Sequence, residues 1–336
     1  MEADEQFMRE AIREARKGAG RTHPNPVVGA LIVSGGQILA RGWHRGAGHF
    51  HAEIEALRHA KRAVRGATLY VTLEPCSTHG RTPPCTASIV RAGFRRVVYG
   101  ATDPNPKHAG RAKEILFRAG IEVCSGVLGV ECAALNLAWN KWIETGMPFV
   151  TAKAAMTLDG RISSPHESRW ISSEASRRDA MKLRSRAQAI LVGGETIRVD
   201  DPELTVRGIK VRSEPLRVVW SKSGRLPPSA RIFIDEHKHR TVVFTNTSLR
   251  SALRNLGRRG IASVLVEGGG RVLGEAFDRN LVDEVQIYMA PLLTGGQVPA
   301  VGGVGTTSVA GATQLGDVSF KRIGPDVRMT GRVIKK

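Results

Sequence analysis

A histidine, a glutamate and two cysteines are spaced as in a catalytic zinc site. Along the 336 residues, His51 is followed two positions later by Glu53, and Cys76 and Cys85 come further on. One imidazole and two thiolates give Zn²⁺ three protein ligands, which leaves the fourth tetrahedral position open for water. Zinc lowers the pKa of such a water towards neutrality. The spacing therefore predicts hydrolytic chemistry rather than a structural metal.

Glu53 is left to move protons, because the other three residues complete the ligand set. A histidine and glutamate in this order, followed by Pro75-Cys76 and a second cysteine, are typical of zinc-dependent base deaminases. The alternative is a set of unrelated core residues, which is the usual reading of an isolated histidine or cysteine. The order of the ligand types and the offset of Glu53 favour zinc.

The two cysteines are separated by a longer loop than most zinc deaminases have. Eight residues, 77–84, lie between Cys76 and Cys85, and we expect His79 and Arg81 in this loop to meet a phosphate or ribose. A solvated loop is the alternative. Asn25 and His44 are further candidates to bind the ring or ribose of a substrate, although Asn25 between two prolines is also a turn former.

Polar residues in the second half indicate a nucleotide cofactor. Glu267 precedes three glycines at a predicted strand end, where a diphosphate can approach backbone N–H groups at a helix start. The alternative is a plain turn, because Leu273 occupies the third glycine position of the dinucleotide fingerprint. Lys153 and Asp200 are candidates to polarise or protonate a substrate, although such residues singly are more often caps or surface charges.

The composition bounds the possible functions. The length predicts two domains. Aromatic residues are only 5% of the chain, which disfavours a base-stacking platform for nucleic acid. The net charge of +19 is spread over both halves, and we interpret it as scattered surface arginine that also attracts phosphorylated small molecules. We expect no nucleic-acid partner.

Cysteine use and hydropathy predict a cytoplasmic protein. Four cysteines in a chain of this length are not a disulfide scaffold. The N-terminal residues lack the pattern of a signal peptide, and no apolar stretch approaches the length of a membrane span. We therefore expect a reducing compartment and no membrane.

The pattern of apolar residues predicts two α/β domains, 1–146 and 147–336. In the first, Ser34-Gly35-Gly36 predicts a hairpin, and the other strands predict a mostly parallel sheet. The predicted strands are 27–33, 37–42, 68–73, 97–101 and 121–127, and the predicted helices 52–63, 85–92 and 132–142. The second domain has predicted strands from 149 and at 189–193, 216–220, 241–245, 262–267 and 284–291, with helices at 173–187, 249–257 and 271–279.

Three motifs resemble one family. Asn25-Pro26-Val27-Val28-Gly29, His51-Ala52-Glu53 and the segment 74–85 are similar to the deaminase half of the bifunctional diaminohydroxyphosphoribosylaminopyrimidine deaminase and 5-amino-6-(5-phosphoribosylamino)uracil reductase of the riboflavin pathway. The second half resembles its reductase, over 152–162, 170–172, 189–207 and 266–296. The resemblance implies an N-terminal cytidine-deaminase-like three-layer domain followed by a dihydrofolate-reductase-like α/β domain.

The resemblance also implies functional residues in the second half. The substrate contacts it implies are Ser168, Arg184, Leu204, Arg207 and Glu267. The NADP contacts it implies are Ala154, Trp170, Thr196, Asp200, Ser221, Gly269, Gly270, Arg271, Val272, Leu273, Gly274 and Glu275. Two departures from the family pattern are Ser172-Ser173, where Thr-Gly is frequent, and Trp220-Ser221, which replaces an acidic pattern.

The implied activity is a pair of consecutive reactions with Zn²⁺ and NADPH as cofactors. The first deaminates a phosphoribosylated diaminopyrimidinone, and the second reduces its ribosyl chain to ribityl. The implied partners are phosphorylated pyrimidines and further copies of the chain in a dimer or tetramer. The alternatives are a nucleic-acid base deaminase with a basic C-terminal binding domain, which the few aromatics disfavour, and a non-catalytic scaffold, which would not need an open zinc site.

Overall fold

The chain forms two compact units, Met1–Gly146 and Met147–Lys336. The computed structural model describes residues 2–79, 83–106, 108–162 and 170–335. Each unit has its own sheet and its own buried apolar clusters. No helix in the described ranges is long and apolar enough to cross a membrane.

The first unit is a five-stranded sheet between two helix layers. Its strands are β1 (Gly29–Ser34), β2 (Gln37–Trp43), β3 (Thr68–Leu73), β4 (Arg96–Ala101) and β5 (Glu122–Ser125). Its helices are α1 (Glu2–Arg16), α2 (Ala52–His59), α3 (Cys85–Ala92), α4 (Arg111–Arg118), α5 (Gly129–Ala134) and α6 (Leu137–Thr145). The strand order is β2-β1-β3-β4-β5.

Alternating side chains of β1 serve both layers of this unit. Ala30 and Ile32 pack with α2, α3 and α4 on one face, whereas Leu31 and Val33 pack with α1 and α5 on the other. This is the period of two that a strand buried on both faces requires. The three-layer arrangement predicted for the first domain is confirmed.

Several predicted elements of the first unit differ in detail. The sheet is mixed rather than mostly parallel, because β1 runs antiparallel to both β2 and β3. The helix predicted over 52–63 ends at His59, and the chain then turns at Gly66 (φ 77°) to enter β3. The single helix predicted over 132–142 is two helices, separated at Asn136, whose side chain bonds both backbone groups of Val27.

The second unit is an eight-stranded sheet that is parallel except at one edge. Its strands are β6 (Phe149–Thr157), β7 (Ala189–Gly193), β8 (Leu216–Ser221), β9 (Thr241–Thr245), β10 (Ser263–Val266), β11 (Glu284–Ala290), β12 (Leu315–Ile323) and β13 (Asp326–Val333). Its helices are α7 (Glu174–Arg184), α8 (Gly194–Asp200), α9 (Arg231–Ile234), α10 (Leu249–Arg258) and α11 (Gly270–Asp278), with 3₁₀ turns at Lys238–Arg240 and Val309–Gly311.

The strand order is β12-β13-β11-β6-β10-β7-β8-β9, and β12 and β13 form the antiparallel edge. The sequence prediction missed β12, β13, α8 and α9. The edge strand β12 is largely exposed and so lacks the apolar run that identifies a buried strand. Parallel strands β10 and β7 are neighbours, so residues after their carboxyl ends lie at the same edge of the sheet.

Two glycines allow α1 and α2 to pack directly on the β1–β2 hairpin. A Cβ at Gly29 would lie 2.2 Å from the carbonyl oxygen of Ala11 in α1, and a Cβ at Gly42 would lie 2.2 Å from that of Ala52 in α2. Backbone atoms cannot move aside as a side chain can, so each position excludes any larger residue. Because α2 begins directly after His51, its distance from β2 also sets the position of that histidine.

We expect Gly42→Ala to destabilise the first unit and to displace α2. Overpacking of this kind costs about 1–3 kcal/mol, which chemical denaturation would measure as a loss in the free energy of unfolding. Gly129→Ala is the matched control, since its Cβ would lie no closer than 3.4 Å to a neighbouring atom. Equal stability of the two variants would contradict the close contact of α2 with β2.

Candidate active sites in the two units

His51, Cys76 and Cys85 converge at one end of the first sheet. His51 caps α2, Cys76 follows the end of β3, and Cys85 is the first residue of α3. The Nδ1 atom of His51 lies 3.2 Å from the sulfur of Cys85 and 3.5 Å from that of Cys76. The three ligand atoms all lie within 4.8 Å of one another.

The three side chains fit zinc. Bonds of about 2.0 Å to nitrogen and 2.3 Å to sulfur in a tetrahedron place these atoms roughly 3.5 Å apart, close to the observed separations. A hydrogen bond from the Cys85 thiol, followed by those from His51 and the Cys85 backbone, lowers the pKa of Cys76 to about 4 despite burial. The thiolate is the form that binds metal, so Cys76 is available as a ligand at neutral pH.

Glu53 lies beside these ligands but outside the ligand group. It is the second residue of α2 and is only 3% exposed. With His51 and Cys76 it lines a cavity of about 150 Å³, here called the zinc cavity. Burial raises the pKa of the Glu53 carboxyl, which brings it closer to the range useful for general acid–base catalysis.

Asn25 and His44 form one hydrogen-bonded pair on the wall of the zinc cavity. His44 Nδ1 donates to the carbonyl oxygen of Phe50 (2.9 Å), so its Nε2 accepts from the Asn25 side-chain amide (2.9 Å). Burial lowers the pKa of His44, which favours this neutral tautomer. His79 is exposed and does not line the cavity, and Arg81 lies outside the described residues.

Asp103, Asn105 and His108 also line the zinc cavity, and the sequence analysis missed them. They follow the carboxyl end of β4, which runs parallel to β3. Since Cys76 follows the end of β3, this edge of the sheet brings both segments together. The polar run after a buried parallel strand was the signal that could have identified them.

Glu74 holds this second segment in place. Its carboxylate accepts from the backbone N–H groups of Asp103 (3.3 Å), Gly110 (3.0 Å) and Ala112 (3.0 Å). The side chain is buried, so these bonds satisfy an anion that would otherwise be costly to bury. Glu74 is thus a structural residue of the motif that carries Cys76.

A second cavity, of about 350 Å³, lies in the second unit. We call it the Lys153 cavity. Eleven of the residues predicted for catalysis, substrate or cofactor line it: Lys153, Ala154, Trp170, Arg184, Thr196, Asp200, Leu204, Arg207, Glu267, Gly269 and Leu273. Ser168 lies outside the described residues.

Glu267 is the centre of charge in the Lys153 cavity. It follows β10 and receives two hydrogen bonds from the Arg184 guanidinium, both 2.8 Å, while Lys153 Nζ lies 3.9 Å away. Burial alone would raise the pKa of Glu267, but the attraction of Arg184 and Lys153 outweighs burial and lowers that pKa to about 2. The stability this ion pair contributes is present above the unfolded pKa of about 4.5 and is lost as the pH falls towards 2.

Six predicted cofactor contacts do not line the Lys153 cavity: Ser221, Gly270, Arg271, Val272, Gly274 and Glu275. The Ser221 hydroxyl is buried and accepts from the Gly224 N–H (3.2 Å). Gly270 and Gly274 instead make close backbone contacts with residues 299–303, where a Cβ would have no room. Gly269 differs, since no atom comes nearer than 4.0 Å to its Cβ position. It directly precedes α11 and lines the cavity.

The two departures from the family pattern have structural roles. Ser173 caps α7: its hydroxyl accepts from the Ser176 N–H (3.3 Å) and donates to Asp326 (2.7 Å). Trp220 donates its indole N–H to the carbonyl oxygen of Thr247 (2.9 Å). Tyr288, which the sequence analysis missed, also lines the cavity, and its hydroxyl donates to Asp179 (3.0 Å).

Two family models match the chain, one in each unit. The model of the cytidine and deoxycytidylate deaminase zinc-binding region matches residues 1–101, and that of the RibD C-terminal domain matches residues 148–329.

Full-length relatives match as well. The riboflavin biosynthesis protein RibD of Bacillus amyloliquefaciens is 38% identical, over 97% of this chain and 95% of its own. The solved structure of Acinetobacter baumannii RibD has a TM-score of 0.91 at 34% identity, and that of a Thermotoga maritima diaminohydroxyphosphoribosylaminopyrimidine deaminase/5-amino-6-(5-phosphoribosylamino)uracil reductase has 0.90 at 37%. Both cover 99% of each chain.

The fold and the two sites define a zinc-dependent deaminase joined to a dihydrofolate-reductase-like reductase. Both predicted domain folds are confirmed. The matches extend over nearly the whole chain rather than over one unit. The chain belongs to the RibD family, and it is a bifunctional deaminase and reductase of riboflavin biosynthesis.

We expect Glu74→Gln to loosen the segment after β4. An amide has only one acceptor oxygen, and its NH₂ group would face backbone N–H donors, at a cost of about 1–3 kcal/mol for a buried group left unsatisfied. Hydrogen exchange at the amides of Gly110 and Ala112 should accelerate. The control is Glu122→Gln on β5, whose side chain is 62% exposed. Unchanged protection of both amides would contradict the role of Glu74.

Proposed function

We propose that the first unit hydrolyses the amino group of 2,5-diamino-6-(5-phosphoribosylamino)pyrimidin-4-one. The observation that carries this proposal is the group of three ligands with Glu53 in the same small cavity. His51, Cys76 and Cys85 would hold Zn²⁺, which supplies an activated water when bound. The zinc cavity, of about 150 Å³, has room for a single pyrimidine ring.

Glu53 is the proton carrier of this step. Its carboxylate accepts a proton from the attacking water and delivers it to the departing amino group. The raised pKa that burial gives Glu53 makes its carboxylate a stronger base, which helps it to accept that proton from the water. The Asn25–His44 pair and the residues after β4 are placed to hold the ring and ribose, since they form the cavity wall.

For the second unit, we propose reduction of the ribosyl chain to ribityl. NADPH supplies the hydride when bound. Gly269 at the start of α11 leaves the first backbone N–H groups of that helix open to a diphosphate. Lys153 and Asp200 line the same cavity, and the Lys153 ammonium is the candidate proton donor to the sugar. Arg207, whose side chain is 58% exposed, is placed to meet the substrate phosphate.

A nucleic-acid base deaminase is the weaker candidate. It would need the second unit to be a basic binding module, but that unit has a cavity with a buried, ion-paired Glu267. Ammonia release and NADPH oxidation, followed separately on the pyrimidine substrate, distinguish the two. Ammonia release without any NADPH oxidation would overturn the proposed reductase.

We also propose a homo-oligomer in the cytoplasm. The edge strand β12 presents Phe320, which is 65% exposed, and the unpaired backbone groups of an edge strand favour pairing with another chain. None of the four cysteines is in a disulfide, which suits a reducing compartment.

We expect Glu53→Gln to retain zinc and to lose ammonia release by at least about a hundredfold, because an amide cannot carry the proton. Reduction of supplied deaminated substrate should persist. Glu55→Gln on the same helix is the matched control, since Glu55 does not line the cavity. Zinc content measured by atomic emission should fall in Cys85→Ser only. Loss of zinc from Glu53→Gln would place Glu53 among the ligands instead.

The preference for NADPH over NADH should depend on Lys222 and Arg225, which follow β8 and could pair with the 2′-phosphate. In the structure Lys222 Nζ lies 3.9 Å from a carboxylate oxygen of Glu275 and 5.6 Å from the centre of the Trp220 ring. The double variant Lys222→Ala, Arg225→Ala should raise the KM for NADPH about tenfold and leave that for NADH unchanged. The control is Lys210→Ala, Arg212→Ala, two exposed bases. An equal rise for both nucleotides would refute the assignment.

A further inference from the structure

The loop after α8 forms one wall of the Lys153 cavity, and its backbone is unusual. Residues 200–204 and Arg207 line the cavity. Asp201 (φ 40°) and Leu204 (φ 53°) both have left-handed backbone conformations, which cost free energy in any residue with a side chain. Such conformations persist only where surrounding contacts fix them. Residues outside the loop must therefore hold it in this conformation.

The Arg217 side chain holds this loop in position. It lies on β8 and is only 1% exposed. Its guanidinium donates to both carboxylate oxygens of Asp235, to Thr241 Oγ1 (3.0 Å), to the carbonyl oxygen of Ile232 (2.8 Å) and to that of Glu203 (3.1 Å). These five bonds match the five donors of a guanidinium. The last of them reaches the carbonyl directly before Leu204.

That bond fixes the direction of the Leu204 N–H. The peptide between Glu203 and Leu204 is trans, so its N–H points away from its carbonyl and therefore away from Arg217. In the described part of the chain, this N–H has no protein acceptor. Leu204 lines the cavity and is 2% exposed, and its side chain packs in an apolar cluster with Ile197 and Ile232.

Two further bonds hold the loop on the far side of Leu204. Arg184 donates to the carbonyl oxygen of Thr205 (2.9 Å), and Glu214 accepts from the Val206 N–H (2.8 Å). Because Leu204 has a left-handed φ, its side chain can enter the apolar cluster while the Glu203–Leu204 peptide keeps its hydrogen bond to Arg217. Leu204 is thus fixed on both sides.

We propose that Arg217 is a positioning residue of the reductase site, which orients the Glu203–Leu204 peptide so that the Leu204 N–H donates a hydrogen bond to the substrate. The inference rests on the proposed reductase function. Arg217 itself touches no ligand, since it lies beneath the loop and is almost fully buried. What it contributes is the direction of one backbone donor.

An amide-to-ester exchange at Leu204 tests the donor, because it replaces the N–H by oxygen and keeps the side chain. The ester also weakens the Glu203 carbonyl as the acceptor for Arg217. The KM for 5-amino-6-(5-phosphoribosylamino)uracil should rise about tenfold, which corresponds to about 1.4 kcal/mol. The KM for NADPH should stay at the parent value. The melting temperature should fall only as far as the weaker Glu203 acceptor requires, since the N–H itself has no partner within the described protein. An unchanged KM for the uracil substrate would overturn the proposal.

Arg217→Lys tests the positioning, with Asp235→Asn as the control. Lysine keeps the charge but has three donors on one nitrogen and cannot span the same acceptors, so the KM for the uracil substrate should rise about tenfold. In the Arg217→Lys variant, the ester exchange at Leu204 should raise this KM little further. Asp235→Asn weakens the ion pair and leaves the Glu203 bond, so it should lower stability alone.

Additive effects of Arg217→Lys and the ester, or an equal rise in KM in Asp235→Asn, would overturn the positioning role. If Arg217→Lys does not fold, the ester exchange in the parent chain still decides whether Leu204 is a donor. Absence of NADPH oxidation by the parent protein would instead overturn the proposed reductase function, so the two failures are distinguishable.

Discussion

The candidate zinc site of the first unit depends on bringing three side chains from three separate elements to one point. His51 precedes α2, Cys76 follows β3 and Cys85 begins α3. Each element is placed by packing that has nothing to do with metal. The helix α2 is set against β2 by Gly42, and the segment beside Cys76 is tied down by Glu74. The ligands therefore meet because the sheet and helices already meet.

In the second unit, a buried ion pair positions the residues that line the Lys153 cavity. Glu267 and Arg184 are a bidentate pair almost closed to solvent, and the pair links the carboxyl end of β10 to α7. Arg184 also reaches the carbonyl of Thr205. A pair of this kind is weak evidence for stability, because desolvation offsets much of the attraction. Its value here is geometric, since one guanidinium fixes two walls of the Lys153 cavity.

Much of this could be predicted from local sequence. The helix 85–92 and the strands 68–73 and 189–193 have the predicted bounds, because each is a short apolar run between clear stop signals. Gly93, directly after the predicted end of this helix, has the left-handed φ of 72° that is common at a helix end. The candidate zinc ligands also occur along the sequence in an order typical of zinc-dependent deaminases. What could not be predicted depends on contacts far apart in sequence, such as the carboxylate of Glu74 with Ala112, or the exposed strand β12 that pairs only with β13. The burial of Arg217 likewise depends on partners further along the chain, namely Asp235 and Thr241.

The two glycine contacts of the β1–β2 hairpin also bear on how this family can change. Gly29 and Gly42 meet the backbones of α1 and α2 at the same 2.2 Å. A larger residue in a core is ordinarily tolerated when its neighbour becomes smaller. Here the neighbouring atoms belong to the main chain, and the nearest helix residues, Ala15 and Ala56, are already small. No second substitution can restore the lost space. We therefore expect both positions to remain glycine in relatives whose helices keep these places.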